Sequence, residues 1–354
     1  MADGDTTLLP DPDFTCTEAD CSFVAGIRPI RKPFRLEPDA VGSKFVVHNY
    51  GHGGAGITMS WGCADEVCKI VLAHAGAERG DVAVLGGGVM GLTAATVLVQ
   101  QGFTVAIYAS SLESTTSDVA GGQWQPSLVY NDTSNAGVEL FDNILRTSFN
   151  KFCDEIGQGY GVSKRINYST LGSGMSFDNV PRDLIPSPTP YPQLPFTHLS
   201  QPGYGYHTLL VEPPIFLARL RNDLLANGVS FTQRHFHSPE DIAQLAEPIV
   251  INCTGLGSAE IFNDTALQPV KGQLVLLKPQ PNLQYLYSDH RIYVFPRQDH
   301  VVVGGSYEEG VTDPTPDPAT CQNILQMARD EFAGRPTGVA PQRWMLPEYG
   351  DRYR

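Results

Sequence analysis

The chain has 354 residues, of which 42% are hydrophobic, and a formal net charge of −14. This length and composition allow a large core in one large or two intertwined domains. The negative charge argues against nucleic acid or an anionic membrane surface as a partner, because either would repel the chain. No apolar run approaches the ~20 residues that span a bilayer, and the acidic segment 1–13 lacks the apolar stretch of a signal peptide.

The cysteines are expected to be reduced and to hold no metal. Their number is odd and no CxxC pair occurs, so the pattern indicates neither a disulfide framework nor a zinc site. We therefore expect a cytoplasmic protein, with a peroxisome left open even though the chain does not end in Ser-Lys-Leu. The seven are Cys16, Cys21, Cys63, Cys68, Cys153, Cys253 and Cys321.

The first half of the chain predicts a helix and then a βαβ unit. An apolar stripe at helical spacing predicts a helix over residues 57–72, and a Gly/Ala-containing linker over 73–80 follows. Residues 82–85 form a short apolar strand before the turn Gly86-Gly87-Gly88-Val89-Met90-Gly91. A second apolar stripe predicts a helix that ends at Gln101-Gly102, and residues 105–108 form the next strand. This order is what a nucleotide-binding βαβ unit requires.

The turn between the first strand and the helix matches GxGxxG at Gly86, Gly88 and Gly91. Such a turn lets the backbone approach a pyrophosphate, whose negative charge the helix N-terminus favours. The alternative is a glycine-rich turn in another α/β protein. The acid that would bind a ribose at the end of the second strand is missing, since Ala109-Ser110-Ser111 stands there. Ser110 could bond the ribose instead, and the missing acid argues against NAD.

The second half predicts further α/β elements and then antiparallel strands. Apolar spacing predicts a helix around residues 216–224, and Ser238-Pro239-Glu240-Asp241 resembles a capping box. Residues 249–251 are expected to form a buried parallel strand that ends at Thr254-Gly255. Proline and tyrosine indicate a loop over 174–203, and alternating apolar segments predict antiparallel strands over 272–305. The fold class is therefore α/β, a Rossmann-like nucleotide-binding domain with an interleaved, mixed β-rich domain.

Several segments together resemble the D-amino-acid oxidase family over residues 22–335. They include the glycine block His48-Asn49-Tyr50-Gly51-His52-Gly53-Gly54-Ala55-Gly56, which precedes Thr58 and Trp61, and the segment Thr115-Thr116-Ser117-Asp118-Val119-Ala120-Gly121-Gly122-Gln123-Trp124-Gln125-Pro126. The others are Gly26-Ile27-Arg28-Pro29-Ile30-Arg31 with Arg35-Leu36-Glu37, then Asn252-Cys253-Thr254-Gly255 and Lys271-Gly272-Gln273.

The segments upstream of the GxGxxG turn lie at the C-terminal end in that family. The chain therefore resembles a circularly permuted member, joined at 73–80 and opened between a helix at 324–332 and Gly26. Permutation is physically tolerable where the original ends lie close together. The resemblance implies an FAD-binding domain of residues 22–129 and 205–262, a substrate domain of 130–204 and 263–335, and terminal extensions of 1–21 and 336–354.

The resemblance also implies roles for three residues at the substrate. Arg28 would bind the substrate carboxylate through a bidentate pair, and the hydroxyl of Tyr293 would bind the same group. The carbonyl of Gly54 would accept a hydrogen bond from the substrate amine. Without the resemblance, Arg28 is more simply an exposed arginine beside Pro29. The alternative for Tyr293 is an aromatic side chain packed in the sheet.

The same resemblance implies a noncovalent FAD site. The helix that begins near Thr58 would stabilise the anionic reduced ring. Gly121-Gly122 stands where the family has Ala-Gly, and Gln123 stands where it usually has leucine, which could alter the setting of the flavin. The implied cofactor-binding residues are Gly51, Gly53, Gly54, Gly56, Ile57, Thr58, Gly86, Gly88, Val89, Met90, Gly91, Ser110, Thr115, Thr116, Ser117, Gly121, Gly122, Gln123, Thr254 and Gly255.

Other polar residues leave substrate specificity open. Asp289, with Tyr287 nearby, replaces a lid tyrosine of the family and would disfavour acidic side chains, but His290 and Arg291 could neutralise it or bind such a side chain. His52 is expected to be a structural hydrogen-bonding residue. His235-Phe236-His237 has strand spacing for two metal ligands, but no third ligand is evident, so no metal is expected.

The implied function is that of an FAD-dependent oxidase. Hydride transfer from the α-carbon of a D-amino acid to flavin N5 would give a 2-oxo acid, ammonia and hydrogen peroxide. The partners are the amino acid and oxygen, and a homodimer is allowed. Alternatives are the same chemistry on D-aspartate, glycine or a carboxylate-bearing pathway amine, a flavin dehydrogenase with another electron acceptor, a flavin-binding protein without turnover, and the disfavoured NAD-dependent dehydrogenase.

Overall fold

The computed structural model describes residues 8–171, 180–289 and 292–335. The helices in these ranges are α1 Gly56–Ala75, α2 Val89–Gln100, α3 Asn135–Asp154, α4 Pro213–Ala226, α5 Pro239–Ala243, α6 Gly257–Ile261 and α7 Pro318–Phe332. The strands are β1 Cys21–Val41, β2 Lys44–His52, β3 Asp81–Leu85, β4 Thr104–Ala109, β5 Val162–Thr170, β6 Thr189–Tyr191, β7 Gly203–Val211, β8 Ser230–Gln233, β9 Ile249–Asn252, β10 Gln268–Leu277, β11 Leu286–Ser288, β12 Tyr293–Pro296, β13 Val301–Gly304 and β14 Glu308–Glu309.

One mixed sheet runs through the molecule in the order β6-β7-β5-β11-β12-β13-β10-β1-β2-β9-β3-β4-β8, with β14 paired to β10. The end from β2 to β8 is parallel. The other end is antiparallel except where β11 pairs with β5. The long strand β1 joins the two ends, because it pairs with β10 on one side and with β2 on the other. The predicted α/β fold with a parallel nucleotide-binding sheet and a mixed β-rich part is confirmed.

The parallel end is buried on both faces, as its apolar strands require. Along β3, Val82 and Val84 pack into the core formed with α1, α2 and α4. Ala83 and Leu85 point to the opposite face, where they join a second core that includes Phe236. This alternation follows from the two-residue period of a strand.

The predicted elements of the parallel end are confirmed. The helix expected over 57–72 is α1, and the βαβ unit is β3, α2 and β4. The helix around 216–224 is α4, the strand at 249–251 is β9, and Ser238 and Asp241 form the expected capping box of α5.

The antiparallel end confirms the strands expected over 272–305, which are β10 to β13. One face is covered by α7, whose Ile324 and Phe332 lie in a shared core with Val294 and Val303. The sequence did not predict α3, β5 or β7, and the segment expected as loop contains the short strand β6. The predicted domain limits stay a prediction.

The expectation of unpaired cysteines is wrong at one point. Cys16 and Cys21 form a disulfide just before and at the start of β1. Their Cα atoms lie 5.2 Å apart, within the range that a disulfide requires, because a turn over residues 18–20 brings them together. Cys63, Cys68, Cys153, Cys253 and Cys321 are free. Among the described residues, the helices lack the combination of length and apolar character that crossing a bilayer requires.

Candidate active site

A cavity of about 680 Å³ lies at the carboxyl ends of the parallel strands and extends beneath the antiparallel end of the sheet. Its lining includes Gly86 after β3, Ser110 after β4 and Thr254 after β9. Ligands of open α/β sheets bind at this edge of the parallel strands. The volume falls within the roughly 300–1,000 Å³ of ligand-binding pockets.

The glycine-rich turn brings backbone to the cavity because β-carbons would crowd several of its positions. Gly86 has a φ of +117°, and a β-carbon there would overlap the carbonyl of Cys253. A β-carbon at Gly88 would lie 3.2 Å from the hydroxyl of Ser117 on the cavity wall. Gly88 is also the N-cap of α2 and provides no side-chain capping bond. The turn therefore offers backbone N–H groups at a helix N-terminus, the arrangement that suits a pyrophosphate.

All but one of the predicted cofactor-binding residues line this cavity. Gly91 is the exception, because it faces the turn itself and a β-carbon there would overlap the carbonyl of Gly86. It therefore permits close packing of α2 against the turn. The lining residues are Gly51, Gly53, Gly54, Gly56, Ile57, Thr58, Gly86, Gly88, Val89, Met90, Ser110, Thr115, Thr116, Ser117, Gly121, Gly122, Gln123, Thr254 and Gly255.

The second glycine block forms the wall between β2 and α1. A β-carbon at Gly53, which has a φ of +55°, would overlap the carbonyl of Leu128. At Gly54, it would lie 3.0 Å from the carbonyl of Ser127. The hydroxyl of Thr58 donates to the carbonyl of Gln125 at 2.9 Å and accepts from its N–H at 3.1 Å. Thr58 thus holds the start of α1 against the segment that carries Gly121 to Gln125.

The segment that begins at Thr115 is held in place by Asp118. The N–H and hydroxyl of Thr115 both donate to the carboxylate of Asp118 at 2.7 Å. Arg221 of α4 reaches the same carboxylate at 3.3 Å. Ser117 accepts a hydrogen bond from the N–H of Val89 at 3.1 Å, so its hydroxyl meets the first turn of α2. The segment is therefore tied to the nucleotide-binding unit through side chains as well as through the chain.

Arg28 and Tyr293, which the resemblance implies at the substrate carboxylate, both line this cavity. One guanidinium nitrogen of Arg28 donates to the carbonyl of Ser306 at 3.2 Å. Among the described residues, Arg28 has no carboxylate partner. It pairs with Val270 in the β1–β10 ladder, and its guanidinium lies over Gly272. A half-buried guanidinium without an acidic partner in a cavity suits an anionic ligand.

A glycine on the neighbouring strand also makes room for Tyr293. It pairs with Gly304 on β13, and a β-carbon at Gly304 would overlap its ring. Burial raises the pKa of Tyr293, and the nearby cations Arg28 and Arg297 partly offset this shift. The net direction keeps the hydroxyl protonated, so it can donate a hydrogen bond to an anion.

The wall that carries Gln123 is polar. The side-chain nitrogen of Gln123 donates to the hydroxyl of Tyr206 at 2.8 Å, and that hydroxyl lies 3.2 Å from Oε1 of Gln125. Tyr206 is buried and also bonds to Ser288. Gln123, Gln125 and Ser288 all line the cavity. A polar group therefore stands where the family usually places an apolar leucine.

Asp289 lines the cavity near this wall and is buried. Its carboxylate accepts from Thr170 at 3.4 Å, and its N–H donates to the carbonyl of Ile292 at 2.9 Å. Tyr287 does not line the cavity, because its hydroxyl is directed to Glu331 at 2.7 Å. His290 and Arg291 lie outside the described residues.

His52 lies in the cavity wall as a buried residue. Its ring nitrogen lies 3.5 Å from the sulfur of Cys63, and its ring stands 5.1 Å from that of Phe34. Burial lowers the pKa of His52 to about 3, so the imidazole is neutral. These contacts agree with the structural role expected for His52.

A carboxylate that the sequence did not reveal lies beside His235 and His237. Glu260 of α6 lies beside both rings, and the potential ligand atoms of the three side chains all lie within 4.8 Å of one another. The sequence could not show this, because 23 residues separate His237 from Glu260 and only the fold brings them together.

Other residues of the site were also missed from sequence alone. Gly304 and Ser306 support Tyr293 and Arg28, and Tyr206 orients Gln123. Gly304 and Tyr206 belong to strands whose pairing is set by tertiary structure, and Ser306 lies in the loop after β13. A glycine inside an otherwise β-branched strand, such as Gly304 after residues 301–303, was the available signal, since such a glycine often marks a close approach.

Comparisons with known protein families and with individual proteins agree on one family. The model of the family described as FAD dependent oxidoreductase matches residues 81–176 and 191–349. A D-amino-acid oxidase of Streptomyces coelicolor is 30% identical over 271 residues, which cover 72% of this chain and 79% of that protein. A D-aspartate oxidase of Homo sapiens is 28% identical over 267 residues, or 69% and 73% of the two chains. The structure of a glycine oxidase from Bacillus cereus aligns with a TM-score of 0.48 and 17% identity, covering 70% of this chain and 78% of that one.

Proposed function

Because the chain belongs to the FAD-dependent oxidoreductase family that contains the D-amino-acid oxidases, we propose that it oxidises D-amino acids with oxygen. The observation that carries this proposal is the position of Arg28. Its guanidinium has no acidic partner among the described residues and reaches the same cavity as the glycine-rich turn. A site that combines a nucleotide cradle with a carboxylate-binding cation suits a cofactor-dependent enzyme of amino acids.

The described residues fit an FAD. The turn at Gly86 and Gly88 would hold the pyrophosphate at the N-terminus of α2. Ser110 would bond the ribose, and the segment around Gly121 and Gly122 would lie beside the flavin ring. When bound, FAD supplies the acceptor for two electrons and a proton from the substrate Cα–H bond, and oxygen takes the electrons onward to give hydrogen peroxide.

The side chains of the protein would orient the amino acid. Arg28 would pair with the substrate carboxylate, and Tyr293 would donate a second hydrogen bond to it. The carbonyl of Gly54 would accept a hydrogen bond from the amine. Binding the carboxylate and the amine together would fix the orientation of the hydrogen on the α-carbon. Such positioning lowers the activation barrier of the reaction. The oxidised imino acid then reacts with water to give a 2-oxo acid and ammonia.

A second candidate is the same reaction on D-aspartate. The human relative acts on this substrate by its name. The described cations that line the cavity are Arg28 and Arg234, and Arg234 belongs to the wall with Phe236 beyond β8, on the parallel side of the sheet. A second substrate carboxylate would need another cation. Arg291, which could supply it, lies outside the described residues. The substrates tested in the experiment below therefore include D-aspartate and glycine.

The testing experiment is anaerobic addition of D-amino acids to the purified, flavin-loaded protein. Bleaching of the flavin absorbance and release of peroxide on readmission of air are expected with D-amino acids and not with their L-enantiomers. Peroxide production separates an oxidase from a dehydrogenase and from a flavin-binding protein without turnover. A yellow protein that none of the panel bleaches would refute the proposal.

The variant Arg28→Ala tests the observation on which the proposal depends. We expect it to retain flavin and to lose at least about 30-fold in kcat/KM, since loss of one partner of a buried charged pair costs about 2–5 kcal/mol. Arg79→Ala is the matched control, because Arg79 is an exposed arginine of the linker before β3. Equal kcat/KM in the two variants would remove Arg28 from the site.

A further inference from the structure

Two histidines and a glutamate form a compact group at the edge of the parallel sheet. Nδ1 of His237 lies 2.7 Å from one carboxylate oxygen of Glu260, and Nε2 of His235 lies 3.5 Å from the other. All three side chains are exposed. We propose that His235, His237 and Glu260 bind a divalent transition-metal ion of the zinc and copper type.

The local backbone places both imidazoles on one side. Burial alternates along the segment between β8 and α5, since Phe236 is buried and His235 and His237 on either side of it are exposed. Phe236 points inward and meets the ring of Tyr108 edge to face at 6.2 Å. His235 and His237 therefore both face outward, with ring centroids 4.3 Å apart.

The three side chains stand on backbone that is fixed at several points. The N–H of Arg234 donates to the carbonyl of Ala109 at 2.8 Å. The N–H of His237 donates to the carboxylate of Asp241 at 2.8 Å, within the capping box of α5. Glu260 lies on α6, which packs through Ile261 into the core that holds Phe236. Ligands on anchored backbone bind metal with less loss of conformational freedom.

The donor set selects the class of ion. Imidazole nitrogens with a carboxylate suit zinc and copper, whereas calcium and magnesium take oxygen ligands. Three protein ligands would leave the fourth position of a tetrahedral ion open to water or another ligand.

The group lies beside the cofactor cavity, because His235 also lines that cavity. A bound ion would bridge the segment 234–238 to α6, two pieces of chain that the fold otherwise joins through the core. Since a ligand that binds only the folded state stabilises it, the ion should raise the melting temperature. This inference does not depend on the oxidase activity.

The test is calorimetric titration of tag-free, flavin-loaded protein with Zn²⁺, together with the shift in Tm. One ion per chain and a higher Tm are expected. His237→Ala and Glu260→Gln should each weaken binding by about tenfold or more and reduce the Tm shift. Flavin content, measured in each variant, shows whether the fold is retained.

His198→Ala is the matched control. His198 is an exposed histidine that pairs with a single carboxylate, Asp11, at 3.3 Å, and its removal should leave Zn²⁺ binding unchanged. Mg²⁺ should not compete. The inference would be overturned if the parent did not bind Zn²⁺. It would also be overturned if His237→Ala and Glu260→Gln both bound Zn²⁺ with the affinity of the parent.

Discussion

The guanidinium group of Arg28 lies over Gly272 of the neighbouring strand, where a β-carbon would overlap it. Gly304 stands in the same relation to the ring of Tyr293. Each proposed carboxylate-binding side chain therefore crosses a position that only glycine leaves empty. The geometry of the pair depends on these two glycines as much as on the arginine and the tyrosine.

Gly272→Ala should displace Arg28 without removing its charge. We expect kcat/KM for D-amino acids to fall roughly tenfold, less than for loss of the arginine itself, because the guanidinium is the flexible end of its side chain and is misplaced rather than removed. The bound flavin should remain, because Gly272 lies at the substrate end. Steady-state peroxide production and flavin absorbance of the purified variant measure the two effects.

Gly80→Ala is the control for this substitution. Gly80 has open space around the position of a β-carbon and no positive φ, and so activity should be unchanged. If Gly272→Ala were as active as Gly80→Ala, Arg28 would not bind the substrate from its position over residue 272.

Tyr293→Phe should weaken substrate binding and leave the chemistry largely intact. The variant loses one hydrogen bond to a charged carboxylate, about 1.5–3 kcal/mol, which corresponds to a rise in KM of roughly tenfold to a hundredfold. Tyr160→Phe is the control, since Tyr160 bonds to Asp223 on α4 and does not line the cavity. Unchanged kcat and KM in Tyr293→Phe would mean that this tyrosine only packs in the sheet.

Gln123→Leu should shift preference toward apolar substrates. Oε1 of Gln123 has no donor among the described residues, so it can accept from a polar substrate side chain. The ratio of kcat/KM for D-glutamine over D-methionine, two side chains of similar size, should fall roughly five- to tenfold. Steady-state kinetics with the two substrates give this ratio.

Tyr206→Phe provides the companion measurement. Without the hydroxyl at 2.8 Å, Gln123 loses the bond that orients its amide, so the ratio should move in the same direction by a smaller factor. An unaltered ratio in Gln123→Leu would show that residue 123 does not contact the substrate side chain.

The parts of the fold that follow from local patterns were predictable. The alternation over 82–85, the glycine turn after it and the apolar stripe of α2 specify a βαβ unit without reference to the rest of the chain. The capping box at Ser238 and Asp241 is equally local. Local sequence therefore fixed the position of the nucleotide cradle.

The parts that depend on distant pairing were not predictable. Gly272 meets Arg28 because β1 and β10 pair in one register across more than 240 residues. Gly304 and Tyr206 reach the site through strand pairing in the same way. No period or motif in a single sequence encodes such a register, which is set by the packing of the whole sheet.

The circular permutation stays a prediction. The strands β1 and β2 lie between β10 and β9, so the upstream segments are an internal part of the sheet. Near the proposed opening, the ring of Phe14 packs on that of Phe332 of α7 with centroids 5.5 Å apart. The N-terminal segment and the end of α7 are thus neighbours, as the hypothesis requires.

Glu155→Gln should change how stability depends on pH. Glu155 is buried after α3 and accepts a hydrogen bond from Trp61 at 3.3 Å. Burial raises the pKa of its carboxyl from 4.5 to about 7, so the folded state favours the protonated form. The contribution of the protonated carboxyl to the free energy of unfolding is full below pH 4.5. It is lost as pH rises toward 7, by at most about 3 kcal/mol. Urea unfolding measures the free energy of unfolding at pH 5 and pH 8, and the value for Glu155→Gln relative to the parent should be higher at pH 8 than at pH 5. The exposed control Glu78→Gln should follow the parent at both pH values. Parallel pH profiles for Glu155→Gln and the parent would mean that Glu155 is not held in its protonated form.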